Sequence, residues 1–225
     1  MPLQNRVTPF STIDVVPARG LFMGNRGRLH DAQRRLVTTR WRTRAWLICA
    51  LDFRGRHRTV MAPQQYTELF FLDEAVALAA GHRPCAECRR PAFHAFVAAW
   101  AGAAKSIPRA GALDAALHEE RVARFAGQPP PRIAVRELPF GAFFLLGGGD
   151  RTPWVVLDKV AAAWSHAGYT DALVLPETQM VETLTPGPTL AALRAGYRPV
   201  VHPSASALQA DVLGGSARRG TPRTG

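Results

Sequence analysis

The sequence predicts an α+β protein, and three observations carry that reading. Short apolar runs such as WLICALDF at 46–53 have the length and composition of buried strands. The run LFFLDEAVALAAGHRPCAECRRP at 69–91 joins a strand to an Ala-rich helix that ends at a glycine. Beyond GQPPP at 127–131, short strand-like and helical segments are mixed. The expected architecture is a small mixed sheet with a metal-bearing hairpin and helices, followed by a second α+β module of short strands.

In chain order, residues 1–20 read as an extended arm, and 40–53 with 59–61 as a hairpin turned at 54–58, where Gly55 permits reversal. Phe70 and Phe71 are strand-like, and Asp73 caps a helix propagated by Glu74 to Ala80. Gly81 sits where a left-handed residue stops a helix, and Pro84 prevents its continuation. Residues 92–101 resume as a helix with Phe93, Phe96, Val97 and Trp100 on one face. A break at 105–109, containing Pro108, precedes a helix over 113–125.

GQPPP is stiff and reads as a linker between a domain at 21–126 and a module at 132–203. In that module 133–136, 142–146, 154–157 and 181–184 read as strands, and 160–164 and 189–195 as helices. LLGGGD at 145–150 is a hairpin turn; no Lys-Ser/Thr follows it, so it is not a phosphate loop. ALAAGHRP at 77–84 recurs as ALRAGYRP at 192–199, the same helix stop with Val200 in the place of Cys85. Residues 204–225 are small, polar and Gly-rich, the composition of a disordered tail.

Cys85 and Cys88 are two of only three cysteines. Thiolates three positions apart on a tight turn chelate one soft tetrahedral cation, and Zn²⁺ is the expected one. A redox pair or two buried small hydrophobes would show the same spacing, but no thioredoxin-like pattern precedes it.

The run 70–91 resembles the second half of the Ada-type metal-binding domain of bacterial alkylation-repair proteins. That family places a strand and a helix before Gly-aromatic-Arg-Pro-Cys-x-x-Cys, here GHRPCAECRRP with His82 in the aromatic position. Upstream, LFMGNRGRLHD at 21–31 is similar to the opening strand of related small zinc domains, and the resemblance makes His30 a ligand. In those domains a cysteine follows the histidine; residues 31–35 contain none. The only upstream thiol is Cys49, which reads as a fourth ligand or as core, with His94 the competing fourth ligand. The family's methyl transfer from DNA phosphotriesters runs through a cysteine of that first half-site and is not expected of this chain.

Charge is segregated along the sequence. Residues 1–60 hold 12 Arg against Asp14, Asp31 and Asp52, a balance of +9, whereas 61–225 balance at +2. Arginine in place of lysine also follows from a GC-rich genome, but base composition does not segregate charge. An Arg-rich, acid-poor segment beside a metal site reads as a phosphate-contacting face, with Arg26, Arg28, Arg40, Arg42 and Arg44 as contacts. In RWRTRAW, strand alternation would put Arg40, Arg42 and Arg44 on one face.

The expected function is therefore a zinc-binding, nucleic-acid-binding protein, DNA rather than RNA, in repair or regulation. Two alternatives stand beside it. One is an enzyme acting on DNA by alkyl transfer or metal-assisted hydrolysis, the latter with His30, Asp31 or His57 near an open metal position. The other is a structural zinc module for a protein partner. No apolar run spans a membrane, no signal peptide opens the chain, and few cysteines fit a reducing compartment, so a cytoplasmic location is expected.

Overall fold

A computed structural model of the protein describes residues 1–56, 59–102, 109–158 and 160–215. It is an α+β fold built on two six-stranded sheets. The first contains β1 (Gln4–Val7), β2 (Ile13–Val15), β3 (Phe22–Asn25), β4 (Leu47–Cys49), β5 (Leu69–Phe71) and β6 (Arg83–Pro84), in the order β2-β1-β5-β3-β4-β6. It is mixed: β1 lies parallel to β5 and β4 parallel to β6, while the other neighbours are antiparallel. The second contains β7 (Arg132–Ala134), β8 (Phe143–Leu145), β9 (Trp154–Val156), β10 (Ala161–Ser165), β11 (Gly168–Leu173) and β12 (Met180–Thr183). Its order is β11-β10-β9-β8-β12-β7, antiparallel throughout.

Helix α1 (Glu74–Ala79) is buried at all six residues. A helix without a polar face needs apolar partners all round, and strands of both sheets supply them. Ala77 and Leu78 join a cluster that includes Ile48, Phe71, Phe144 and Val181; Ala75, Val76 and Ala79 join another with Phe143, Leu145 and Val155. The first cluster also takes Phe96 from α2 (Arg90–Ala101), Leu113 and Leu117 from α3 (Ala110–Phe125), and Leu190 from α4 (Gly187–Arg194). Residues on both sides of 127–131 thus share one core, and that stretch is an exposed connection from α3 to β7.

The polar entrance of α1 is tied to the second half of the chain. Asp73 caps the helix through Val76 N–H at 2.9 Å and also accepts from Tyr169 Oη at 2.7 Å and His202 N–H at 2.9 Å. Glu74 accepts from Tyr197 Oη at 2.6 Å, Arg89 Nη1 at 2.7 Å and Val200 N–H at 3.1 Å. Buried carboxylates persist when their acceptor sites are filled in this way.

Several segments differ from the sequence reading. Residues 1–20 supply β1 and β2 to the first sheet. Residues 40–46 form no strand, and β4 is flanked by β3 and β6, so the 40–53/59–61 hairpin does not form. Residues 161–165 are strand β10, although an Ala-rich run favours a helix. Ala161 and Ala163 pack in one cluster and Ala162 in the other, a period of two with both faces covered. Residues 204–215 form helix α5 (Ser204–Gly215), with Leu208 and Val212 against the second cluster. The break expected at 105–109 falls largely on residues outside those described. Among the described residues, no helix is long and apolar enough to cross a membrane.

Asp73 generates a stability prediction. Asp73→Ala removes the cap and leaves Tyr169 Oη and His202 N–H without this acceptor, so the unfolding free energy in urea should fall by about 3 kcal/mol. Burial raises the Asp73 pKa above its ordinary value, against the hydrogen bonds it accepts. The folded state therefore holds this proton more tightly than the unfolded chain. The associated stability is present below the ordinary carboxylate range and is lost as pH rises through the raised folded value. Asp73→Asn should remove that part of the pH dependence.

Candidate metal centre

The thiol site follows from how α1 ends. Gly81 adopts φ +86°, its N–H donates to Leu78 O at 2.9 Å, and His82 N–H donates to Ala77 O at 3.0 Å. This is a Schellman stop, which needs a left-handed residue at that position. The same bonds close α4, from Gly196 to Leu193 O and Tyr197 to Ala192 O, so the repeated sequence is a repeated helix stop. After the stop the chain leaves as β6, parallel to β4, in the register Leu47↔Arg83 and Ile48↔Pro84. Arg83 N–H donates to Trp46 O and Cys85 N–H to Ile48 O, at 3.0 and 2.9 Å. Continuing that register sets Cys85 beside Cys49 at the end of β4.

Both arms of the Cys85–Cys88 turn are anchored in the core. Arg83 makes a two-pronged ion pair with Asp114, at 2.9 and 2.8 Å, with both side chains nearly covered. Arg89, next to Cys88, pairs with buried Glu74 at 2.7 Å and lies 4.3 Å over the Phe22 ring.

The Sγ atoms of Cys49, Cys85 and Cys88 all lie within 4.8 Å of one another. Tetrahedral zinc with Zn–S bonds of about 2.3 Å places its sulfurs roughly 3.8 Å apart, so a small contraction around the ion suffices. Glu87 N–H already points at Cys85 Sγ, at 3.4 Å. The Cys85 thiol is held far below its ordinary pKa, chiefly by hydrogen bonds from Cys49 and Cys88, with the Cys88 and Glu87 amides adding to them. Cys49 is pushed up by the same sharing, first with Cys85 and then with Cys88, and by burial. Cys88 is drawn down by Cys49, but Cys85 and burial outweigh that pull and its net shift is upward. One thiolate therefore forms readily, and a metal ion would displace the two remaining protons. The three cysteines lie close enough to hold a metal ion.

Neither histidine expected as a ligand belongs to this cluster. His30 is buried elsewhere, with Nδ1 2.7 Å from Thr67 Oγ1 and Nε2 3.1 Å from Ala62 O, so both ring nitrogens pin a turn to residues 62–67. His94 is exposed on α2 and accepts from Arg90 Nε at 3.4 Å. Asp31 is occupied with Arg35, and His57 lies outside the described residues.

Of the expected phosphate contacts, Arg28, Arg40, Arg42 and Arg44 are exposed. Arg26 is not: it is 1% exposed, lies 3.9 Å over the Trp46 ring and donates to His82 Nε2 and Ser11 O. Such a side chain is core and meets no phosphate. His82 is fully buried between Trp46 and Phe71, and burial, then Arg26 and Arg121, holds its pKa well down.

The sequence reading missed what surrounds the thiols. The three cysteines line a cavity of about 380 Å³ with Phe53, Arg56, Tyr66 and Glu68. Glu68 is 3% exposed, and one oxygen accepts from Met61 N–H at 2.7 Å while the other has no hydrogen-bond partner among the described residues. The available signal was a glutamate opening the apolar run ELFF. Arg56 pairs with Glu87 at 3.1 Å and joins the loop after Cys49 to the Cys85–Cys88 turn.

Comparison with protein-family models, with curated proteins and with solved structures found no match to this chain.

The ligand set is testable by metal analysis. Protein purified without chelator should carry one zinc per chain. Cys49→Ser, Cys85→Ser and Cys88→Ser should each lose most of it, whereas His30→Gln and His94→Ala should retain it. A structural zinc contributes on the order of 10 kcal/mol to a small domain, so chelation should lower the thermal midpoint of the parent. Retention of zinc by all three serine variants would exclude this site.

Proposed function

We propose that the chain is a zinc-binding protein that engages nucleic acid, with DNA preferred, through its arginine-rich first 60 residues. One observation carries the reading: the three-thiol cluster opens into a cavity whose exposed side bears Arg56, with Arg54 beside it in the same acid-poor segment. Guanidinium groups bind phosphate in two-pronged fashion and stack on bases. Arg54 and Arg56 both lie near the Phe53 ring, at 5.0 and 5.3 Å, an arrangement suited to a phosphate backbone with a base beside it. Exposed Arg28, Arg40, Arg42 and Arg44 extend the basic surface. The resemblance to Ada-type domains at 70–91 agrees with this reading and with a role in repair or regulation.

A second reading, alkyl transfer through a zinc thiolate, draws support from Cys49, which belongs to the cluster and lines the cavity. Incubation with DNA bearing methylphosphotriesters separates the two. A binding protein leaves every cysteine unmodified, and a single added methyl group on Cys49, Cys85 or Cys88 by mass spectrometry establishes transfer.

For the binding reading, affinity should fall steeply with salt, with a log–log slope of roughly −0.9 per phosphate engaged and about four to six phosphates. Replacing Arg40, Arg42 and Arg44 together by Ala should flatten that slope by about 2 to 3 while leaving zinc content unchanged. An unchanged slope would remove these residues from the contact surface. No binding by the parent at low salt would favour a protein partner.

A further inference from the structure

We infer that the cavity beside the thiol cluster is a pocket for a single nucleobase carrying an exocyclic amino group, with Glu68 as its acceptor. The inference rests on the nucleic-acid reading above and specifies what enters the protein.

The cavity is polarised along its depth. Inside lies Glu68, a buried carboxylate fixed by Met61 N–H through one oxygen and unpaired at the other among the described residues. Leaving such an oxygen unpaired is costly, and the cost is recovered when a ligand N–H meets it. At the open side Arg56 lines the cavity with its side chain 45% exposed, paired with Glu87 on the same rim, and exposed Arg54 two residues earlier adds a cation near the mouth that is unshared among the described residues. Between these ends the walls are aromatic and aliphatic, including Phe53, Phe70 and Leu47.

A nucleotide has the complementary polarity. Its phosphate is anionic and outermost, its base is flat and apolar on both faces, and an amino group donates from the edge. The volume of about 380 Å³ lies at the small end of ligand sites, which run from about 300 to 1,000 Å³, and suits one base with its sugar. Proteins that read a base away from its neighbours use this combination of apolar walls and one polar edge contact. An aliphatic amine would satisfy Glu68 but not the aromatic walls or Arg56 at the opening.

The test uses the zinc-loaded full chain and mononucleotides as probes. AMP, CMP and GMP are compared by titration calorimetry or chemical-shift perturbation with analogues that carry hydrogen in place of the amino group. At least one amino-bearing nucleotide should bind roughly tenfold tighter than its analogue, the effect of one hydrogen bond to a charged group. Glu68→Gln, which can keep the Met61 contact, should reduce that preference to about twofold or less. Leu51→Trp, at a half-exposed position on the cavity wall, should block nucleotides with zinc content unchanged. It also decides the matter if Glu68→Gln fails to fold. Equal affinity for every pair, or undiminished binding by Leu51→Trp, overturns the inference. If the parent binds polynucleotide but no mononucleotide, the pocket is refuted and the nucleic-acid reading stands; if it binds neither, both fall.

Discussion

The structure depends on a six-residue helix with no exposed face. Helix α1 packs against strands of both sheets, and its entrance carboxylates, Asp73 and Glu74, accept hydrogen bonds from groups of residues 169–202. Isolated, a helix this short would not persist in water. Its position is instead set by the core it occupies, and that fixes where the chain emerges at Gly81. From there β6 has one route, alongside β4, and the register of that pair brings Cys85 to Cys49. The thiol site is thus a consequence of core packing. Its two flanking arginines, Arg83 and Arg89, carry the same dependence outward through Asp114 and Glu74.

What was legible in the sequence was what local chemistry decides. Asp73 as a cap, Gly81 as a left-handed stop, Pro84 and the apolar face of 92–101 all act within one or two turns of chain, and each stands where its residue type placed it. What was not legible depended on partners distant in sequence. Arg40, Arg42 and Arg44 alternate like a strand, yet β4 begins only at Leu47, and Trp41 stacks on Phe125 of α3 with ring centroids 5.6 Å apart. The run at 161–165 has helical composition, but two covered faces favour a strand of small residues. His30 fits a familiar spacing, and only the Thr67 hydroxyl and Ala62 carbonyl show that its nitrogens are spoken for. Glu68 could not be recognised as a cavity carboxylate until the loop after Cys49 was in place.

The charge of the chain divides into two uses. Arg26 and Arg121 lie over the Trp46 ring, at 3.9 and 4.5 Å, both nearly covered, so part of the basic count is core. Burial is the largest effect on both and lowers their pKa values. Arginine tolerates such a site because its delocalised cation is weakly hydrated and stacks on aromatic faces. Among the described residues, the other exposed arginines of the first 60 face few carboxylates, Asp31 beside Arg35 and Glu87 beside Arg56 among them.

Three cysteines, and neither of the expected histidines, lie close enough together to hold one metal ion. X-ray absorption at the zinc edge on the metal-loaded protein tests that ligand set most directly. The account predicts about three sulfur neighbours at about 2.3 Å and one lighter atom near 2.0–2.2 Å, without the outer-shell scattering of an imidazole ring. A shell of two sulfurs with imidazole scattering would contradict it.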